Sequence, residues 1–185
     1  MPDRKVKGTM LIDQVKMIRG NKDRDWSKLV KPEDWGLING RILDFAWYPL
    51  ELYQRWGWAT FQVLAGGSTD LARMRGKLRG QELFRNVYSN LLHGQDPMRA
   101  LDRFVNIYGL LFNFSSLRFE KVAAKEARVY HDYDPNDPTN VPYCYQLMGH
   151  IDALVEMSGG RNGGVELVAA QWSGAPETVF RITWE

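Results

Sequence analysis

The stretch Val141 to His150 (VPYCYQLMGH) holds the one cysteine of the chain, Cys144, with His150 six residues on and Asp152 two beyond that. A thiol, an imidazole and a carboxylate could hold a metal ion or support a nucleophile if they converged. The surrounding residues read as a helix from about Tyr143 to Met157, and a helix turns about 100° per residue. With Cys144 at zero, Met148, Ile151 and Val155 fall within about 40° of it, and Leu147 and Leu154 lie on its other side within about 80°. Cys144 is therefore expected inside an apolar stripe, as a small buried hydrophobe. His150 stands about 120° away, so the two cannot share an ion from this helix. Asp152 faces off the other way. A reactive thiol would want a basic, partly open setting, which this segment lacks.

The other polar groups favour structure over chemistry. His93 precedes Gly94 at a helix end, where the dipole favours a cationic side chain. His131 and Asp132 are adjacent at the end of a strand, which points them to opposite faces. Asp132, Asp134 and Asp137 crowd one loop, but without EF-hand spacing, and turn chemistry accounts for them. The run Arg73-Met74-Arg75-Gly76-Lys77-Leu78-Arg79 splits its four cations into two groups, Arg73 with Lys77 and Arg75 with Arg79, which reads as a solvated face. An anionic partner is the alternative. Gly66-Gly67 and the run Gly159 to Gly164 match no phosphate-binding fingerprint. Gly-x-Ser-x-Gly, His-Glu-x-x-His and Cys-x-x-Cys do not occur in the sequence.

Composition narrows the classes further. A length of 185 residues allows one well-buried core or at most two small ones. A formal charge of +2 is too small to argue for nucleic acid. One cysteine rules out an internal disulfide and a multi-cysteine zinc site within one chain. It suits a reducing, cytoplasmic setting. The basic N-terminus has no signal-peptide pattern, and no apolar run reaches the roughly 20 residues of a membrane span. Seven Trp among 12% aromatics point to an aromatic core, a cavity lining or an interface.

The elements that would position these groups can be read in order. Residues 1–8 look like a charged, flexible tail, and residues 9–185 like one α+β domain. Thr9 is placed to cap a helix ending at Gly20. Trp26 to Val30 reads as a short helix and Arg41 to Tyr48 as extended. Pro49 opens a helix from Leu50 to Leu64. Ser68 and Thr69 cap the next, which runs to about His93 with Leu71, Met74, Leu78 and Phe84 among its apolar positions. Pro97 opens another through Phe104 and Tyr108. Leu117 to Ala123 and Ala127 to His131 alternate as strands. The helix containing Cys144 follows, then strands at Val165 to Gln171 and Thr178 to Trp184. The pattern predicts a helical N-terminal half packed on a C-terminal antiparallel sheet, with one helix between two strand pairs.

Three stretches carry a resemblance: Ile42 to Glu51 (ILDFAWYPLE), Arg73-Met74-Arg75-Gly76, and Trp172 to Trp184 (WSGAPETVFRITW). Together they resemble a family of paralogous proteins abundant in myxobacteria, through motifs that are structural and name no activity. From about Leu117 the chain is similar to the vinyl-reductase-type small-molecule-binding domain, with Pro142 and Cys144 opening a helix that carries Gly149. Relatives of that domain include sensory domains of phenol-responsive regulators, transport-particle subunits that hold an acyl chain, and haem-based gas sensors. Metal-binding members carry cysteines in the last two strands, where Trp172 and Val179 stand here, so zinc is not carried over. The Tyr-x-Ser-x-Arg motif of the gas sensors is missing. No cofactor is therefore expected.

The reading that follows is a non-catalytic sensory or adaptor domain, cytoplasmic and homodimeric, with a place for an apolar small molecule and a signalling protein as a possible partner. Tyr53, Phe84, Tyr88, Phe104, Tyr108 and Met148 are the expected ligand residues, at a site between the helical half and the sheet. Trp47, Tyr48, Trp56 and Trp58 are the expected interface. A ligand-free interaction scaffold is the alternative, and a small enzyme acting on an apolar substrate a more distant one, because no general base stands out.

Overall fold

The computed structural model describes residues 3–114, 117–132 and 137–185. Two short strands in the N-terminal half, and turn where a helix was expected at Trp26 to Val30, depart from the expected order; the rest follows it, helices and then an antiparallel four-stranded sheet with one helix between two strand pairs. They divide into two compact units, one drawn from Met1–Ser68 and Leu110–Ser115, the other from Thr69–Gly109 and Ser116–Glu185.

The first unit begins with strand β1 (Lys5–Lys7), within the segment expected to be a flexible tail. It pairs antiparallel with β2 (Trp47–Pro49). Val6, between two lysines, is fully buried, and a single apolar side chain is enough to anchor so short a strand. Helix α1 (Gly8–Gly20) buries Leu11, Val15 and Ile18 at helical spacing. Thr9 does not cap it; the Thr9 hydroxyl donates to the Asp44 carbonyl and ties down a turn over residues 43–46, so of the stretch expected to be extended only Trp47 and Tyr48 are strand.

Helix α2 (Asp34–Asn39) lies just after Pro32, in a stretch where no helix was expected. Its reason is a buried carboxylate. Asp34 accepts two bonds from Arg55 and one at 3.0 Å from the Trp56 indole N–H. Arg55 and Trp56 belong to α3 (Leu50–Ala65), which ends at Gly66 in the left-handed conformation, φ 58°. Burial works against ionising Asp34, but the bonds from Arg55 and Trp56 outweigh it and hold the carboxyl below its usual range.

The second unit is built on α4 (Thr69–Asn86) and α6 (Asn140–Met157). The buried residues of α4 are Ala72, Gly76, Gly80 and Phe84, whereas Leu71, Met74 and Leu78 are exposed. The small residues let the two backbones meet. A methyl group on Gly76 would come 2.1 Å from the Gln146 carbonyl oxygen, and one on Gly149 would come 2.0 Å from that of Arg73. Arg73 then reaches across to Asp152 with two bonds, 2.7 and 3.0 Å, and to the Val165 carbonyl. Lys77 pairs with Glu156. The basic run is thus spent largely on intramolecular partners, which removes the case for an anionic ligand at Arg73 and Lys77.

Helix α4 stops at Asn86, short of the expected His93, and a 3-10 turn (Ser89–Leu92) follows. Helix α5 (Pro97–Leu111) is capped by the Asp96 carboxylate, which accepts from the backbone N–H of Met98 at 3.0 Å. The sheet has strand order β3 (Leu117–Ala123), β4 (Glu126–His131), β6 (Thr178–Thr183), β5 (Gly164–Ala169). Alternation buries Ala127, Val129 and His131 on one face with Thr178, Phe180 and Ile182 beside them. The other face carries charge pairs, Arg118 with Glu177 and Arg181 with Glu126.

Candidate functional site

Cys144 is fully buried on the inner face of α6, as its helical phase requires. The imidazole beside it is not that of His150. It belongs to His131, at the end of β4, whose Nδ1 lies 4.0 Å from Cys144 Sγ. Pairing with β6 points His131 into the same layer of the sheet as Val129. The thiol also donates to Asn140 Oδ1 at 3.6 Å, one helical turn back. Adjacent Asp132 is exposed and accepts from Gln171 Nε2, so the two neighbours do point opposite ways.

From His131 an aromatic series runs through the second unit. Its ring lies 4.9 Å from that of Tyr143, which meets Tyr108 edge-on at 6.4 Å. Tyr108 touches Phe104 at 5.5 Å, and Phe104 meets Phe84 edge-on at 6.0 Å. These rings come from β4, α6, α5 and α4, so the series spans four elements. One polar feature sits within it: the Tyr143 hydroxyl donates to the Tyr108 hydroxyl at 2.5 Å, in buried surroundings.

Of the expected ligand residues, Phe84, Phe104 and Tyr108 fall in this series and Met148 is buried on α6. Tyr88 is half-buried beyond the end of α4, and burial raises its hydroxyl pKa. Tyr53 belongs to the other unit, where its ring meets Phe112 edge-on and its carbonyl accepts from Gln14. Sequence reading missed Tyr143 and His131 as members. The signal was available for Tyr143, which lies one residue before Cys144, but His131 needed the sheet register.

The expected interface residues also separate. Trp56 is fully buried and bonded to Asp34, so it is a core residue and cannot meet a partner. Trp58 packs at 5.7 Å on Phe61. Trp47 is exposed, with Lys7 Nζ 4.0 Å from its ring centre, and the Tyr48 hydroxyl accepts from Leu43 N–H.

Electrostatically the cluster around Cys144 is quiet. Burial pushes the thiol pKa far up and lowers that of His131 to about 3, so both are neutral at ordinary pH. A neutral thiol beside a neutral imidazole is not an activated nucleophile. Asp137, in the carboxylate-rich loop, accepts from the Thr139 backbone N–H at 2.9 Å, which is turn chemistry; Asp134 lies outside the described residues. Among the described residues, no three His, Cys, Asp or Glu side chains stand together as a metal site. Nor is any helix long and apolar enough to cross a membrane.

No family model matches the sequence, and no curated protein does. Solved structures do. The chain is similar to an unliganded Fe(II) H-NOX protein from K. algicida, with 11% identity and TM-score 0.65 over 97% of this chain and 96% of that one. It is equally similar to an oxygen-binding H-NOX domain related to soluble guanylate cyclases, in its oxygen complex, with 15% identity and TM-score 0.65 over 97% and 95%. A mutant of the T. Tengcongensis H-NOX follows, at 13% identity and TM-score 0.63. Likeness at such identity defines the fold, an α+β arrangement of the H-NOX type.

Haem is named for another structure of that fold, so the donor set here is a direct test. The chain has three histidines. His93 is exposed at the end of a 3-10 turn. His131 is enclosed by Tyr143 and Cys144. His150 lies with Nδ1 2.9 Å from the Gln146 carbonyl oxygen of its own helix. Cys144 is fully buried and neutral. None of these presents a ligand to a planar iron group, so the residues do not fit histidine- or thiolate-ligated haem.

Proposed function

We propose that the chain is a non-catalytic sensory or adaptor module that uses the H-NOX-type fold without haem, takes an apolar small molecule and acts through self-association. The observation that carries this is the pairing of a whole-length fold likeness to proteins described as oxygen-binding or iron-containing with a donor set in which His131 and Cys144 are buried against each other, His150 is bonded back to its own helix and His93 stands exposed after a 3-10 turn. The Tyr108–Tyr143 hydroxyl pair is the feature such a ligand would use. It is a hydrogen-bonding point inside an apolar wall, which orients a ligand without requiring charge. Among the described residues, His131 and Cys144 beside Tyr143 are both held neutral by burial, which suits a binding role better than catalysis.

Native mass spectrometry of the purified full chain tests this directly. A retained small molecule, lost in Tyr108→Phe with the fold intact, is the expected result. A ligand-free scaffold is the second reading, favoured by the mutual ring contacts of Phe84, Phe104 and Tyr108, which leave these side chains filling one another's space. A ligand-free mass together with no binding of hydrophobic dyes selects the scaffold.

A further inference from the structure

We propose that the turn before β2, together with the outer face of the β1–β2 ribbon, docks the protein on an anionic lipid surface. Phe45, in that turn, is 71% exposed, and Trp47, the first residue of β2, is 42% exposed. Val6 is buried, so strand alternation turns Lys5 and Lys7 to the outer face of the ribbon, where they stand across from Pro49 and Trp47. Lys7 joins turn and ribbon. Its Nζ lies 4.0 Å from the Trp47 ring centre and donates to the Phe45 carbonyl at 2.9 Å. Exposed rings with ammonium groups beside them suit the zone where acyl chains meet headgroups, because the ring enters the apolar side and the cation stays at the polar one.

The backbone of the turn favours lipid as the occupant. Where water is scarce, backbone polar groups outside a helix must find partners within the protein. Both groups of Phe45 and of Ala46 have one. The Phe45 N–H donates to Asp44 Oδ1 at 2.9 Å, and its carbonyl accepts from Lys7. The Ala46 N–H donates to the Leu43 carbonyl, and its own carbonyl accepts from the Gly8 N–H. The Asp44 carbonyl accepts from both the N–H and the hydroxyl of Thr9. A turn that stays in water does not need this, since solvent serves the same groups. Charge sets the sign of the surface. Residues 3–9 and 41–49 carry Arg4, Lys5, Lys7 and Arg41 against Asp3 and Asp44. A second copy of this face would set one cation-rich surface against another, whereas an anionic headgroup layer attracts it. Contact of this kind lies on a membrane and does not span it.

Cosedimentation of the full chain with vesicles tests the docking. Vesicles of equal parts phosphatidylglycerol and phosphatidylcholine should retain the parent, vesicles of phosphatidylcholine alone should retain little, and added salt should release it. Phe45→Ser and Lys5→Glu should each weaken retention on the anionic vesicles at least about fivefold. Because Phe45 is largely exposed, its replacement leaves the fold intact, which circular dichroism verifies. Phe45→Trp should strengthen retention, a gain that a damaged fold does not produce. Soluble polyglutamate is the probe for an acidic protein partner. A parent that binds polyglutamate and neither kind of vesicle, a parent that binds none of the three, or vesicle binding that Phe45→Ser leaves unchanged each overturns lipid docking.

Discussion

His131 shows how one side chain sets a pH dependence. Unfolded, its imidazole titrates near about 6.5. Folded, burial lowers that to about 3. Between these values the unfolded chain binds a proton that the folded chain refuses. The resulting stability is fully present above about pH 6.5 and is lost as pH falls toward the folded value, by up to about 1.4 kcal/mol per pH unit. Urea midpoints measured at stepped pH should fall through this window, and less steeply in His131→Phe. Burial lowers His150 to about 4, so some slope remains in that variant. Asp34 works in stronger acid: its folded pKa is depressed, so its contribution is present above about 3.9 and disappears as pH falls through the folded value. The ring series gives a second expectation at this scale. Phe84 is 1% exposed and in edge contact with Phe104, so Phe84→Trp should cost about 1–3 kcal/mol in denaturant unfolding through overpacking. A neutral result would reveal space beside the ring.

At the scale of elements, the α4–α6 contact governs the second unit. Gly149→Ala would drive a methyl group into the Arg73 carbonyl, and backbone cannot yield as a flexible side chain can. It should lower stability by about 1–3 kcal/mol or more, visible as a lower thermal midpoint. Gly109→Ala is the matched opposite. Gly109 lies inside α5, and a methyl group there meets nothing within 4 Å. Its replacement should raise stability by about 0.5–1 kcal/mol through helix propensity alone. If both substitutions shift the midpoint the same way, close backbone approach is not what makes Gly149 necessary. The sequence supplied Gly76, Gly80 and Gly149, but hydrophobic periodicity credits Leu and Met with the buried face. Periodicity locates large apolar side chains; it is blind to an interface made of backbone.

At the scale of the whole molecule, the chain shares the H-NOX-type fold, while its histidines and cysteine do not fit histidine- or thiolate-ligated haem. Titration of the purified chain with hemin should give no spectrum of histidine-ligated iron, and His131→Ala or His150→Ala should change nothing. A sharp Soret band with imidazole-ligation features, abolished by one of those substitutions, would sink the haem-free reading and leave the fold assignment intact.

Several features were legible without any structure. The order of helices and strands followed from periodicity and from Gly and Pro punctuation, because those signals are local in the chain. The buried position of Cys144 followed from the helical phase of its apolar neighbours, and His131 could be turned away from Asp132 by strand alternation. The meeting of Cys144 with His131 could not be read, because it depends on the pairing of β4 with β6 and on where α6 lies beside them. The α2 helix and the burial of Trp56 required Asp34 and Arg55 to meet, 21 residues apart. The exposed row on α4 emerged only once its glycines were found against α6. Local sequence specifies which conformations a segment prefers. Which of its faces is buried depends on the free energy of contact with a distant partner, and that is decided only when the chain has folded.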